Sequence, residues 1–360
     1  MHRPIRRIPL AVCCLLLAIT AGCSKDDGDP TIEAQPRIAT VTYLVSLGGL
    51  GDNSYNDAAA EAIFGFAKES GARLRLLLPH SRTEAEQMWT QWLSDNAEQD
   101  SAVLIVGGSE YEQMVQRQAV TYHNQLAAMH QRGSRMLIFE SDAEIEGIST
   151  VRVSRYGAAY LCGAMSGKFD AYILAAMQDD AMLKDAISGF TDGWNAHHEE
   201  GLHVTVQYLA DDEAGFAMPD SAYRVMMTRI RQAPLLYQEM VFPILGGSNF
   251  GVLRAMNDEE ANLGLVIGMD VDQSIVSSRV PFSMVVHIGD VVHRYLDDWI
   301  AGRDWLPTCT VDMAEGGAEV LLHPSFYQRG TLMSDLYADP DTFWRLYEQY
   351  KDEAIRKENE

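Results

Sequence analysis

Four short segments gather polar side chains where apolar runs stop. Asp52-Asn53-Ser54-Tyr55-Asn56-Asp57 follows the run Ile38–Leu47 and opens a helical pattern. Phe139-Glu140-Ser141-Asp142 closes a second run. Phe242 leads into Gly246-Gly247-Ser248-Asn249, and Gly268-Met269-Asp270-Val271-Asp272-Gln273 ends a fourth. Aromatic faces stack a flat heterocycle. Carboxylates accept hydrogen bonds from sugar hydroxyls, and paired acceptance suits a vicinal diol. Brought into one cleft, these groups fit a nucleoside-like ligand. Each also has a plainer use: Asp57 as a helix cap, Phe242 as core, Asp142 in solvent, Ser248 within a turn.

Signatures of bond-making chemistry are missing. There is no His-Glu-x-x-His helix and no Cys-x-x-Cys pair. Gly163-Ala164-Met165-Ser166-Gly167 lacks the spacing of a nucleophile elbow, and Gly163–Lys168 is too short for a phosphate loop. Asp270 and Asp272 are too few oxygen ligands for a cation. The expectation is a binding protein with no catalytic residue, metal or cofactor. A nucleoside-acting hydrolase using Asp52, Asp57 and Asp270 stays open as an alternative, because the acids are present although nothing fixes a metal.

The elements that must position these groups alternate. Ile38–Leu47, Leu74–Leu78, Val103–Val106 and Met136–Phe139 have strand length, with helical patterns over 54–69, 83–93 and 111–130 between them. The alternation resumes after a small-residue helix at Tyr156–Gly167. Strand candidates are Ala171–Ala176, Val204–Leu209, Met240–Leu245 and Leu265–Met269, with helices over 188–200, 221–231 and 249–257. Repeated strand-helix units imply an α/β fold with parallel sheets, here in two lobes. Ligands then bind between the lobes, beyond the carboxyl ends of the strands. The expected organisation is 37–142 plus 271–301 as lobe 1, 143–270 plus 302–335 as lobe 2, and a charged amphipathic helix within 336–360.

Residues 1–22 read as an export signal: Arg3, Arg6 and Arg7, then the apolar run Leu10–Ile19, then small residues before Cys23. A Cys after such a site resembles a bacterial lipobox, with Thr20 where Leu is usual. The resemblance implies a diacylglycerol on the Cys23 sulfur and a location in the cell envelope, tethered to a membrane. Residues 23–36 are polar and acidic, as in a flexible tether. Ser24-Lys25-Asp26-Asp27 resembles the acidic surface-export signal of Bacteroidota lipoproteins, so the outer cell surface and the periplasmic face are both open. The 360-residue chain carries a net charge of -23. A polyanion is repelled by nucleic acid and by anionic lipid heads, which excludes both as partners. Cys162 and Cys309 alone do not make a disulfide framework.

Five ordered motifs carry a family resemblance. Asp52-Asn53-Ser54-Tyr55-Asn56 matches Asp-x-Ser-Phe-Asn, Tyr160-Leu161-Cys162-Gly163-Ala164 matches Tyr-Leu-Ala-Gly-Ala, and Gly189-Phe190-Thr191-Asp192-Gly193 matches Gly-Phe-x-x-Gly. Leu245-Gly246-Gly247-Ser248-Asn249 is a weakened Ala-Gly-Gly-Thr-Gly, and Gly268–Gln273 matches Gly-Val-Asp-x-Asp-Gln. The chain resembles the basic membrane protein family of lipoproteins, the nucleoside-binding components of ABC-type importers. The resemblance implies a type I periplasmic-binding fold, with two lobes joined by hinge crossings, and an ABC permease as partner. It implies that Tyr55 stacks on a base while Asp52 and Asn56 bind its edges. Phe242, ahead of the Gly247-Ser248 turn, would stack on the other face, and Asp270 would bind ribose. A family Asp falls on Glu140, or on Asp142 in a shifted register. Val286 stands where the family often has Lys, beside His287. A surface scavenger or sensor without a permease is a further reading.

If Cys23 carries the lipid, Cys23→Ala moves the protein from the membrane fraction to the soluble fraction or leaves its signal uncleaved. Normal membrane attachment of that variant would contradict the assignment.

Overall fold

The structure, a computed structural model, describes residues 39–51, 55–233, 239–258, 264–327 and 339–360. Cys23, the signal and tether segments, and Asp52, Asn53 and Ser54 lie outside the described residues.

The first lobe is built from β1 (Thr40–Leu44), α1 (Tyr55–Ser70), β2 (Arg73–Leu77), α2 (Arg82–Asn96), β3 (Ala102–Val106), α3 (Glu112–Thr121), α4 (His123–Gln131), β4 (Arg135–Phe139) and β5 (Ser149–Val153). Its sheet runs β12-β5-β4-β3-β1-β2, with β12 (Thr308–Val311) arriving late in the chain, and every pairing is parallel. All five β3 residues are buried, as expected for a strand covered by helices on both faces. Edge strand β2 alternates instead, Arg73 and Arg75 pointing outward.

The second lobe holds α5 (Tyr156–Met165), β6 (Asp170–Ala175), α6 (Ala181–His197), β7 (Val204–Tyr208), α7 (Pro219–Gln232), β8 (Glu239–Ile244), α8 (Asn249–Met256), β9 (Leu265–Val266), β10 (Gly268–Asp270), β11 (Phe282–Val286) and β13 (Ala318–Leu322). Its strands form two pieces, β7-β6-β8-β9 and β10-β11-β13. The pieces meet at Ile267, whose N–H donates to the Val241 carbonyl on β8 (2.8 Å). Among its described strands only the β11–β13 pairing is antiparallel. Helix α9 (Ile288–Ile300) returns to the first lobe. There His293 and Trp299 pack on Phe66 of α1, and the Trp299 indole N–H donates to the Gly133 carbonyl (2.8 Å). Helix α10 (Pro340–Glu358) covers the second lobe, and its Tyr347 hydroxyl donates to the Val320 carbonyl (3.1 Å).

Among the described residues the chain therefore crosses between lobes three times: Val153 to Tyr156, Val286 to Ile288, and Val311 to Ala318. This moves the expected lobe boundaries. Residues 149–153 and 308–311 are first-lobe strands, and 282–286 is a second-lobe strand. The short run Ser149–Val153 is a missed element, as are the strands at 308–311 and 318–322: its apolar content is low, yet Val151 and Val153 face the core. The helical pattern over 111–130 breaks at Tyr122 into α3 and α4, and α6 begins at Ala181 rather than 188, capped by the Asp180 side chain on the Leu183 N–H (3.0 Å).

Helices α5 and α6 pack backbone to backbone because glycines on each helix lie against the main chain of the other: Gly163 against Phe190 and Trp194, Gly189 against Tyr156, and Gly193 against Tyr160. A Cβ at Gly163 would overlap the Phe190 carbonyl and lie 2.8 Å from the Trp194 nitrogen. Gly163→Ala should therefore destabilise the fold by about 1–3 kcal/mol through overpacking, read as a lowered denaturant midpoint. A midpoint equal to wild type would show that the helix pair can separate freely.

Candidate functional site

In both sheets the strand order reverses beside the first strand: β1 sits between β2 and β3, and β6 between β7 and β8. Connections leaving neighbouring strands in opposite directions open a crevice at their carboxyl ends. The two crevices face one another. A cavity of about 560 Å³ is lined by Ser46–Gly48 after β1, Gly108–Glu110 after β3, Met177 and Asp179–Leu183 after β6, Asp212–Ala214, Phe216 and Ala217 after β7, Ile244–Gly247 at the end of β8, and Met269–Asp270 at β10. That volume suits a small metabolite.

Tyr55 and Asn56, at the start of α1, line the cavity. The Tyr55 ring meets the edge of Phe139 (centroids 5.4 Å) and lies 5.8 Å from the Arg155 guanidinium. Burial, and then the Glu140 carboxylate, push the Tyr55 phenol well above its ordinary range. Arg155 makes a bidentate pair with Glu140 (2.9 and 3.1 Å) and itself lines the cavity. Burial opposes its charge, but Glu140, with Asp270 adding to it, more than offsets that effect. Among the described residues, Glu140 and Asp270 are two of the three non-glycine residues with left-handed backbone, at φ 60° and 65°. Held strain of this kind gathers at ligand sites. The Asp270 turn is tied by the Val271 N–H to the Met269 carbonyl (2.8 Å) and by the Met269 N–H to the Gln273 side chain (3.1 Å).

Contacts bridge the two lobes across the cavity. The Ser109 hydroxyl donates to Asp180 (3.1 Å), and Arg82 pairs with Glu213 (3.2 Å). Glu110 accepts the Leu47 N–H (2.9 Å). Among the described residues the lining carries seven carboxylates, at Glu110, Glu112, Asp179, Asp180, Asp212, Glu213 and Asp270, against two guanidiniums, Arg82 and Arg155. No described cluster of three or more His, Cys, Asp or Glu side chains could hold a metal.

Of the expected site residues, Tyr55, Asn56, Gly247 and Asp270 line the cavity and four others do not. Phe242 is fully buried and stacks on Phe190 of α6 (4.8 Å, 18°), because its position on β8 faces the helix layer. The aromatic on this wall is Phe216, from the short 3-10 segment after β7. Ser248 is buried beneath it. Its hydroxyl donates to the Gly215 carbonyl (2.7 Å) and accepts the Met218 N–H (2.6 Å), fixing the Phe216 segment. Glu140 acts behind the cavity wall through Arg155. Asp142 is exposed and pairs with Arg152 (3.0 Å). Asp57 accepts the Gly51 N–H (2.7 Å). Sequence reasoning missed Arg155, Glu110, Asp180 and Phe216. The one available signal was the polar stretch Gly107-Gly108-Ser109-Glu110 directly after the apolar run of β3.

A sequence profile of the family described as ABC transporter substrate-binding protein PnrA-like (Bmp) matches residues 39–329. The chain belongs to this family. It is thus a substrate-binding protein of the ABC-transporter type, a role that implies a small-molecule ligand and a permease partner. No curated protein matches in sequence. The fold of this Bmp member is similar to that of an ABC-transporter solute-binding protein from Aeropyrum pernix K1, at 16% identity and TM-score 0.70, over 89% of this chain and 92% of that one. It is also similar to a transcriptional activator of the comK gene from Bacillus halodurans, at 16% identity and TM-score 0.63, over 88% and 96%. A solute-binding protein from Burkholderia graminis C4D1M, solved with D-arabinose, matches at 15% identity and TM-score 0.57, over 82% and 99%. At these identities the likeness establishes the type I periplasmic-binding fold.

Burial pushes the Glu110 carboxyl of this Bmp protein up, hydrogen bonds from Ser46 and the Leu47 N–H pull it down less strongly, and Asp180 across the cleft adds to the rise. A carboxyl that titrates higher folded than unfolded lowers native stability as pH rises through that interval, and not below it. Glu110→Gln should therefore raise the melting temperature at pH 7, and the gain should vanish below the ordinary carboxylate range. An equal effect at both pH values would mean that charge is not the cause.

Proposed function

We propose that this protein captures a neutral nucleoside-like ligand in the interlobe cavity and delivers it to an ABC permease, anchored in the cell envelope through a lipid on Cys23. The observation that carries the reading is the cavity wall: aromatic rings at Tyr55 and Phe216 beside Asp270, in a volume of about 560 Å³. Aromatic faces suit a base, and a carboxylate with an adjoining guanidinium suits hydroxyls of a sugar. Seven carboxylates against two guanidiniums repel a phosphorylated ligand, so a nucleoside is favoured over a nucleotide. No described helix is long and apolar enough to cross a membrane.

Calorimetry with inosine, hypoxanthine and D-arabinose, together with chromatography for cleaved base, tests the reading. Inosine should bind without turnover. Asp270→Asn is the informative variant, because Asn tolerates the left-handed backbone that Ala does not. A charge-assisted hydrogen bond is worth ~1.5–3 kcal/mol, so inosine affinity should fall roughly ten- to a hundredfold while hypoxanthine affinity changes little. Tyr55→Ala should weaken both alike. Equal losses for inosine and hypoxanthine in Asp270→Asn would remove the sugar from the role of Asp270, and release of free base would turn the reading toward a hydrolase.

A further inference from the structure

Helix α5 starts without a side-chain cap of its own. Its N-cap residue is Arg155, whose side chain turns away toward Glu140 and the cavity. The first N–H groups of a helix need acceptors, and here two distant carboxylates supply them. Asp185 of α6 accepts the N–H groups of Arg155 (2.8 Å) and Tyr156 (3.2 Å). Glu358, in the last turn of α10, accepts the Gly157 N–H (3.1 Å) and the Ser154 hydroxyl (2.5 Å) with one oxygen, and the Met313 N–H (2.9 Å) with the other.

An acidic residue at a helix C-terminus is disfavoured by the helix dipole. Glu358 is placed there nonetheless, and its carboxylate lies at the positive end of α5. The groups it joins are not ordinary surface. Ser154 is in the first crossing between lobes and Met313 is in the third. One carboxylate thus holds two of the three crossings at a set spacing, one residue away from Arg155, which lines the cavity. In the same structure the cleft is bridged by Ser109–Asp180 and Arg82–Glu213, so the crossings carry the angle of the bridged form.

We infer that Glu358 is a positioning residue for ligand capture: it fixes the hinge crossings in the closed arrangement and sets Arg155 against the ligand. The inference rests on the reading of the interlobe cavity as the ligand site. Gly157 is the matching part of the device, because a Cβ there would overlap the Glu358 carboxylate and stand 3.2 Å from the Met313 Cβ. Only glycine leaves the carboxylate its seat.

The test compares wild type, Glu358→Gln, Gly157→Ala and the surface control Glu348→Gln. Solution scattering gives the radius of gyration without ligand, and calorimetry gives inosine affinity. Glu358→Gln replaces an acceptor with a donor facing the Met313 N–H, and Gly157→Ala keeps the carboxylate but displaces it. Both should enlarge the ligand-free radius and weaken inosine binding at least fivefold, and Glu348→Gln should match wild type. A lowered melting temperature with unchanged radius and unchanged inosine affinity would assign Glu358 a purely structural role and overturn the inference. If wild type does not bind inosine, the nucleoside reading falls on its own, and the scattering comparison still decides the role of Glu358. Should Gly157→Ala fail to fold, Glu358→Gln decides.

Discussion

The buried pair of Arg155 and Glu140 is the constraint around which the cleft is arranged. Both side chains are nearly inaccessible to solvent. A charge so placed is tolerated only with a partner and good hydrogen-bond geometry, and the bidentate contact meets both needs. Satisfying it requires Glu140 to leave β4 in a left-handed conformation and requires the chain to turn out of β5 just at Arg155. The first crossing between the lobes is therefore located where an ion pair must close. Tyr55 rests against the same pair, and Asp270 reaches its field from the other lobe. The cavity wall and the first crossing thus share one contact.

Around that pair the cavity is acidic, and its acids are individually supported. Asp180 caps α6 and receives the Ser109 hydroxyl, and Glu110 receives the Leu47 N–H. These bonds come from both lobes and fix how the carboxylates of the bridged cleft are oriented. A ligand rich in donors finds acceptors already oriented, which limits the ordering cost of binding. A ligand bringing its own negative charge meets repulsion from several directions.

Much of the architecture was legible along the chain. Apolar runs at 103–106 and 171–176 read as covered strands because both faces of a central parallel strand are buried. The turns after the runs at 38–47, 240–245 and 265–269 read as binding loops because polar residues follow apolar ones abruptly, whereas the turns after 103–106 and 171–176, which carry Glu110 and Asp180, were not read that way. Less legible were β5, β12 and β13, which are short and only partly apolar, and which gain their place by pairing with strands far away in sequence. Phe242 shows the limit for a single side chain. An aromatic in a strand reads the same whether it meets a helix or a ligand, and here it meets Phe190.

By itself, the sequence determined the α/β class, the family, and three of the segments that face the cleft, at Tyr55-Asn56, Gly246-Gly247 and Met269-Asp270, because periodicity and ordered motifs are local properties of a chain. The tertiary structure alone decided which groups line the cavity and how the hinge is held. Arg155 acquires its role from Glu140 on another strand end, Phe216 from the Ser248 hydroxyl beneath it, and Glu358 from Ser154, 204 residues away in sequence. Contacts between such distant positions leave no periodic trace, since they are set by how the two sheets and their crossings pack.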